Sequence, residues 1–188
     1  MRVIAGTHRG RLLIAPEGRG TRPMLGRVRE AVFHRLEPWL PGGRVLDLFA
    51  GTGSLGIEAL SRGAAFARFV ERGEPARLAL GQNLASFGLE AKSEVLAADA
   101  LSETAAAPGP WDVILFDPPY PLLDAFDGRR DLVAVVERLV LGPLAPDGVF
   151  VFHAPMGKLR AREFPAGLEV AQKTYGTTDI WFLGRSEA

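Results

Sequence analysis

Between residues 44 and 117, apolar runs of strand length alternate with stretches of helical periodicity. Strands are expected at 44–49, 66–71, 93–98 and 111–117, and helices at 53–62, at 74–87 with Pro75 in its first turn, and at 101–106. Parallel strands need a crossover, and the crossover is right-handed, so the alternation implies an α/β chain built on a parallel sheet. After a loop over 120–128, a helix at 131–141 leads through Gly142-Pro143 and a Pro146-Asp147-Gly148 turn to a strand at 149–154. Two final strands, 168–175 and 179–183, are joined by a tight Gly176-Thr177-Thr178 turn and are expected to pair antiparallel.

In an open parallel sheet, ligands bind at the carboxyl ends of the strands. Four successive strand ends here carry Asp47, Glu71, Asp99 and Asp117. One such acid is ordinarily a solvated strand end, but four in register on one edge point to a site. Gly51-Thr52-Gly53-Ser54-Leu55-Gly56 stands between the first strand and its helix. Its glycines tolerate positive φ and close approach of a ligand, and the helix start offers unpaired N–H groups. The same spacing fits a dinucleotide site. Glu71, twenty positions beyond Gly51, can reach the two hydroxyls of a bound ribose, and Asp99 can meet an adenine amino group. Asp117-Pro118-Pro119-Tyr120 sets a carboxylate, two rigid imino residues and an aromatic ring together. The prolines remove two backbone donors, leaving the Asp117 and Pro118 carbonyls free to accept, while Tyr120 can stack on a flat, amino-bearing ring.

The first 35 residues hold eight Arg against two Glu, a local +6 that the rest of the chain balances. Two short strands, 2–5 and 11–14, are expected around a turn that presents His8, Arg9 and Arg11 outward. A loop over 16–23 containing Arg22 follows, then a helix at about 25–39. Val28, Ala31, Val32, Leu36 and Trp39 form its apolar face, and Arg27, Arg29 and Arg35 fall off it. An arginine-rich segment of this kind suits phosphate recognition. This divides the chain into a basic extension, 1–40, and a cofactor-binding catalytic domain, 41–188, within one compact unit. The absence of cysteine removes disulfides and thiolate chemistry, and scattered His8, His34 and His153 argue against structural zinc. No apolar stretch reaches bilayer-spanning length and no signal-peptide pattern opens the chain, so a cytoplasmic protein without a membrane partner is expected.

The motifs together resemble those of class I S-adenosylmethionine-dependent methyltransferases. Residues 47 to 56 match the first cofactor motif, Glu71 the second, Asp99-Ala100 the third, and Asp117-Pro118-Pro119-Tyr120 the amino-methylating motif. Arg2 to Leu12, Thr21-Arg22-Pro23, Arg27-Val28-Arg29-Glu30 and Phe33 are similar to the bacterial small-subunit ribosomal RNA guanine-N2 methyltransferases called RsmD. The chain departs from that pattern at Gly26, usually an acid, and at His34, often Asn.

The resemblance implies a seven-stranded Rossmann-like sheet, mostly parallel, with a C-terminal antiparallel hairpin and a small N-terminal extension. It implies S-adenosylmethionine as cofactor, held by Asp47, Gly51, Thr52, Gly53, Glu71, Asp99 and Ala100, and catalysis by Asp117, Pro118, Pro119 and Tyr120. The substrate implied is a guanine of 16S ribosomal RNA, naked or in a small subunit, contacted by His8, Arg9, Arg11, Arg22, Arg27 and Arg29; no obligate protein partner is evident. A nicotinamide-dependent oxidoreductase would share the glycine turn and Glu71 but leave residues 117–120 and the basic segment unused. A non-catalytic RNA-binding protein would not need the acids. Adenine-N6 and protein-glutamine methyltransferases carry a related Pro-Pro-Tyr motif and stay open.

Overall fold

The computed structural model describes residues 1–15, 24, 26–124 and 126–186. Strands β1 (Arg44–Leu48), β2 (Phe66–Val70), β3 (Ser93–Leu96), β4 (Trp111–Phe116), β5 (Leu144–Pro155), β6 (Leu168–Tyr175) and β7 (Thr178–Arg185) form one seven-stranded sheet, in the order β3-β2-β1-β4-β5-β7-β6. β1 to β5 pair in parallel, and β7 runs antiparallel between β5 and β6. β1, β2 and β4 are almost wholly buried, which is why they read as continuous apolar runs rather than as alternation. β6, at the edge, has no buried residue and exposes Glu169 and Lys173.

Helices α1 (Gly26–Leu36), α2 (Ser54–Ser61) and α3 (Glu74–Phe87) cover one face of the sheet, where Val28, Phe33, Leu60 and Leu80 meet Val45, Phe69 and Val113. α5 (Phe126–Leu141) covers the other through Leu132, Val136 and Val140 against Ile114, Phe116 and Phe150. No helix among the described residues is long and apolar enough to cross a membrane.

Several boundaries differ from the sequence reading. The expected 120–128 loop holds a short helix, α4 (Pro121–Asp124), and α5 begins at Phe126 rather than at 131. Gly128 misleads here: a Cβ on it would lie 2.4 Å from the Leu122 carbonyl oxygen, so this glycine permits close helix packing instead of breaking the helix. Pro146-Asp147-Gly148 does not precede the strand but forms an irregularity inside β5, where the register jumps from Trp111↔Leu144 to Val113↔Val149. The helix expected at 101–106 is a 3-10 turn, Glu103–Ala106. α1 stops at Leu36 because Pro38 cannot donate to a continuing α-helix, and Glu37–Trp39 follow as a 3-10 turn.

The N-terminal hairpin is also reduced, to a single bridge between Arg2 and Leu12. The Val3, Gly10 and Leu13 amides bond across it, but the next part of its backbone is committed to α2. Glu58 of α2, 0% exposed, accepts the Ile4 N–H at 2.7 Å, the Ala5 N–H at 3.0 Å and the Arg62 Nε–H at 2.8 Å. Ser61 adds bonds to Ala5, Thr7 and His8, and Gly6, at φ +80°, lies so close that a Cβ would sit 1.7 Å from the Ser61 carbonyl oxygen. Val3 and Leu13 are buried in the same core as β1. The segment is therefore strapped to α2.

Replacing Glu58 with Ala leaves Arg62 and two strap amides without their buried acceptor. The expected loss is about 3–5 kcal/mol in urea unfolding, with faster hydrogen exchange at Ile4 and Ala5. A variant of parental stability would refute the role of the clamp.

Candidate active site

The chain leaves β1 through a tight reversal. Phe49 takes φ 60°, Gly51 φ 56° and Gly53 φ 82° before α2 begins at Ser54. For a bulky side chain such as Phe49 the left-handed region costs about 1–2 kcal/mol, so the strain is held by the surroundings; its ring packs edge-on against Phe116 at 5.4 Å. Gly53 and Gly56 are sterically required, since a Cβ at either would lie 2.3 Å from Leu80 Cδ1 or Phe69 Cε1 respectively. At Gly51 a Cβ would meet nothing within 4 Å, so this side of the loop is open. Thr52 is tied back through its carbonyl, which accepts from Asn83 Nδ2 at 3.0 Å.

Asp47 lies beneath this loop, 1% exposed, and its Oδ2 accepts the Gly56 N–H at 2.8 Å. Burial pushes its carboxyl up to about 8; the Gly56 bond opposes this, and the charges of Asp117 and Glu71 add to it. Three of the four strand-end acids are thus electrostatically coupled. Glu71 spans the loop, taking the Gly51 N–H on Oε2 at 2.9 Å and the Gly73 N–H on Oε1 at 2.7 Å. Asp99 is the exposed member. Its Oδ1 accepts the Leu101 N–H at 2.9 Å, and its Oδ2 faces Arg72 Nη1 at 3.4 Å. Ala100 beside it is buried.

Asp117 follows β4 at the same edge, partly buried, with Pro118 buried, Pro119 exposed and Tyr120 half-buried. Its Oδ1 lies 2.6 Å from Nδ1 of His153, which is 3% exposed on β5 and stands edge-on to the Tyr120 ring at 6.2 Å. Reading the sequence for metal ligands passed over His153 as one scattered histidine. The signal was available: it is the one polar residue in the apolar run 149–154, at the end of the strand next to β4.

The basic residues divide. Arg9 and Arg27 are exposed, as the sequence suggests. Arg11 is exposed but engaged, bonding the Ser86 carbonyl at the end of α3 and lying over the Phe87 ring at 4.2 Å. His8 packs edge-on to Phe87; burial, then the charges of Arg11 and Lys92, lower its pKa. Lys92, beyond α3, therefore joins a cationic patch that the N-terminal segment alone did not reveal. Arg29 corrects the expectation of an outward side chain. It is 2% exposed and donates to the Arg2 carbonyl and, at 2.7 Å, to Met1 Sδ. It fastens the N-terminal segment to α1 and presents no charge to a phosphate. Arg22 lies outside the described residues.

Residues 1–184 match the family described as conserved hypothetical protein 95. Among similar proteins, YlbH of Bacillus subtilis (strain 168) is 43% identical over 123 residues, 64% of this chain and 67% of that one. Ribosomal RNA small subunit methyltransferase D of Escherichia coli (strain K12) is 39% identical over 120 residues, covering 64% of this chain and 60% of its own length. The chain thus spans about three fifths to two thirds of these curated relatives. The solved structure of yhhF from Escherichia coli superposes with a TM-score of 0.80 at 28% identity, covering 100% of this chain and 99% of that one.

The buried carboxyl at Asp47 makes a stability prediction. Its folded pKa, about 8, lies above the ordinary 3.8, so the folded state retains a proton that the unfolded chain has released. Stability contributed by this group falls as pH rises from about 4 to about 8. Asp47→Asn keeps an acceptor for Gly56 without the charge. At pH 8.5, without ligand, it is expected to exceed the parent by at least about 1 kcal/mol, roughly 2–4 °C in Tm, with the advantage vanishing near pH 4. Parallel melting curves across that range would sink the argument.

Proposed function

This chain belongs to the conserved hypothetical protein 95 family, the RsmD-type ribosomal RNA methyltransferases, and from that premise we propose that it methylates the exocyclic N2 amine of a guanine in 16S ribosomal RNA, with S-adenosylmethionine as donor. The observation that carries this reading is the crowding of Asp47, Glu71 and Asp117 at one sheet edge, against an open glycine turn and beside Tyr120. Mutual repulsion among those acids contributes to the raised pKa of Asp47. A cationic ligand relieves it, whereas the pyrophosphate of a nicotinamide cofactor would add negative charge to the same place. S-adenosylmethionine bears a sulfonium and an ammonium, and when bound it supplies a methyl group already activated for transfer.

The residues present suit that group. The open face of Gly51 with Thr52 and Gly53 would take the methionine portion, and Asp47 would neutralise its ammonium directly or through water. Glu71 would accept from the ribose hydroxyls, and Asp99 with Ala100 would meet the adenine. For the target base, Asp117 and the Pro118 carbonyl are acceptors for the two hydrogens of an exocyclic amine. Bonding both turns the nitrogen lone pair out of conjugation with the ring and toward the methyl donor. Tyr120 would stack on the base once the nucleotide has left its helix, a contact worth roughly 1–3 kcal/mol. Most of the acceleration then comes from alignment. Arg9, Arg27, Arg11 and Lys92 supply phosphate contacts, and the substrate is an assembling or assembled small subunit in the cytoplasm.

The test uses ribosomal RNA from a strain lacking this protein, treated with purified enzyme and analysed by nucleoside mass spectrometry. N2-methylguanosine is the expected product. N6-methyladenosine would overturn the choice of base, and no methylated nucleoside would overturn the function. Asp117→Ala is expected to lose about 10²–10³-fold in kcat while binding S-adenosylmethionine as the parent does in calorimetry; full turnover would remove Asp117 from the chemistry.

The basic surface is tested separately by Arg9→Ala with Arg27→Ala. RNA affinity is expected to weaken alike for cognate and unrelated RNA. The slope of log K against log salt should shrink by about 1.5 to 2, with cofactor affinity unchanged. An unaltered salt slope would mean that these arginines do not touch phosphate.

A further inference from the structure

A histidine near the end of the buried, apolar stretch of β5 calls for an explanation. Val149, Phe150, Val151 and Phe152 precede His153 in β5, and all are buried. An apolar side chain would satisfy the same packing, whereas an imidazole loses solvation unless it is bonded. The bond goes to Asp117. Phe152 is the register partner of Phe116, so His153 and Asp117 occupy the next adjacent positions along β5 and β4, with Nδ1 2.6 Å from Oδ1.

Apart from the charge of Asp47 nearby, the neighbouring groups of β7 are engaged elsewhere. Across β5 the partner of His153 is Ile180, and the neighbouring Asp179 directs its carboxylate to the Gly157 N–H at 2.8 Å and the Thr174 hydroxyl at 2.6 Å. Among the described residues the ion-pair partner of Asp117 is His153. The Tyr120 ring meets the imidazole edge-on. One imidazole therefore touches both the carboxylate and the aromatic ring assigned to the target base.

We propose that His153 is a positioning residue for amine methylation: its Nδ1–H holds Asp117 Oδ1, so that the other carboxylate oxygen points at the amine, and its ring edge sets the angle of Tyr120. The proposal rests on the function given above. An ionised carboxylate only accepts, so Nδ1 carries the proton in this arrangement. Without the histidine Asp117 is free to rotate about its side-chain bonds, and the acceptor and the stacking ring lose their common support. Small misplacements of this kind reduce turnover without reducing binding.

Two variants and a spectroscopic measurement test this. His153→Leu preserves bulk and removes the donor; kcat is expected to fall about 10- to 100-fold, with the KM for RNA and the Kd for S-adenosylmethionine within about threefold of the parent. His153→Asn places an amide N–H near the position of Nδ1 and should recover most of that loss, which a purely structural role would not predict. In the ligand-free protein, ¹⁵N spectra should show a protonated Nδ1 on His153 whose signal changes in Asp117→Ala, which removes the acceptor, a readout that needs no activity. Parental kcat in His153→Leu, an unchanged imidazole signal in Asp117→Ala, or a loss confined to KM would each overturn the inference. Should His153→Leu fail to fold, His153→Asn and the spectra decide. An active parent with an indifferent His153 defeats this inference alone, whereas a parent that methylates no RNA defeats the function on which it rests.

Discussion

One hydrogen bond fastens the site to the fold. Asp47 Oδ2 accepts the Gly56 N–H from inside the first turn of α2, joining the end of β1 to the helix that the glycine turn introduces. It works with the bonds between Glu71 and Gly51 and between Asn83 and Thr52 to set the height of the loop above the sheet. The arrangement buries a carboxyl group almost completely, and the burial is tolerable because the group can hold a proton up to about 8 or be met by a cation. The scaffold's least comfortable group and the proposed preference for a cationic ligand thus have one origin. An edge that repels itself is poised for positive charge.

The loop above Asp47 shows how sterics enforce that geometry. Leu80 and Phe69 crowd Gly53 and Gly56 so closely that no side chain fits, while Gly51 faces open space. Phe49 bears the remaining distortion with a positive φ and leans on Phe116, which precedes Asp117. Strain at the end of β1 is therefore supported by the strand that carries the proposed acceptor, and the two halves of the site share a core. Glu71 completes the frame by bonding Gly51 and Gly73 together, so the acid expected to meet a ribose also holds the loop in shape.

The central sheet was readable because its signals are local. Apolar runs, Pro75 at the start of α3 and the Gly176 turn each report on a few neighbouring residues, and the elements 74–87 and 168–175 agree with expectation to the residue. The acids were readable for a different reason, since strand ends of a parallel sheet fall on one edge whatever the loops do. What escaped depends on distant partners. Arg29 follows Val28 and precedes Phe33 by four, on the border of the buried stripe, and nothing in the sequence says that the Arg2 carbonyl waits within reach. His153 pairs with a residue 36 positions away, visible only once β5 is known to lie beside β4. The N-terminal strands are shorter than expected because, although Val3, Gly10 and Leu13 bond across the turn, the Ile4 and Ala5 amides go to Glu58 and that of Ile14 to Asn83.

The strap formed by that segment has a consequence for the order in which the molecule can be made. Residues 1–15 are made before the partners that anchor them to the sheet domain: Glu58, Ser61 and Asn83, the last accepting from Ile14 across 69 positions, are all translated later. During that interval the segment has only its own bridge and turn bonds to hold it. It settles only when the glycine turn and α3 have emerged. A nascent chain that lacks α3 therefore has no organised N-terminal surface, so on the proposed function the basic segment and the glycine turn become competent together.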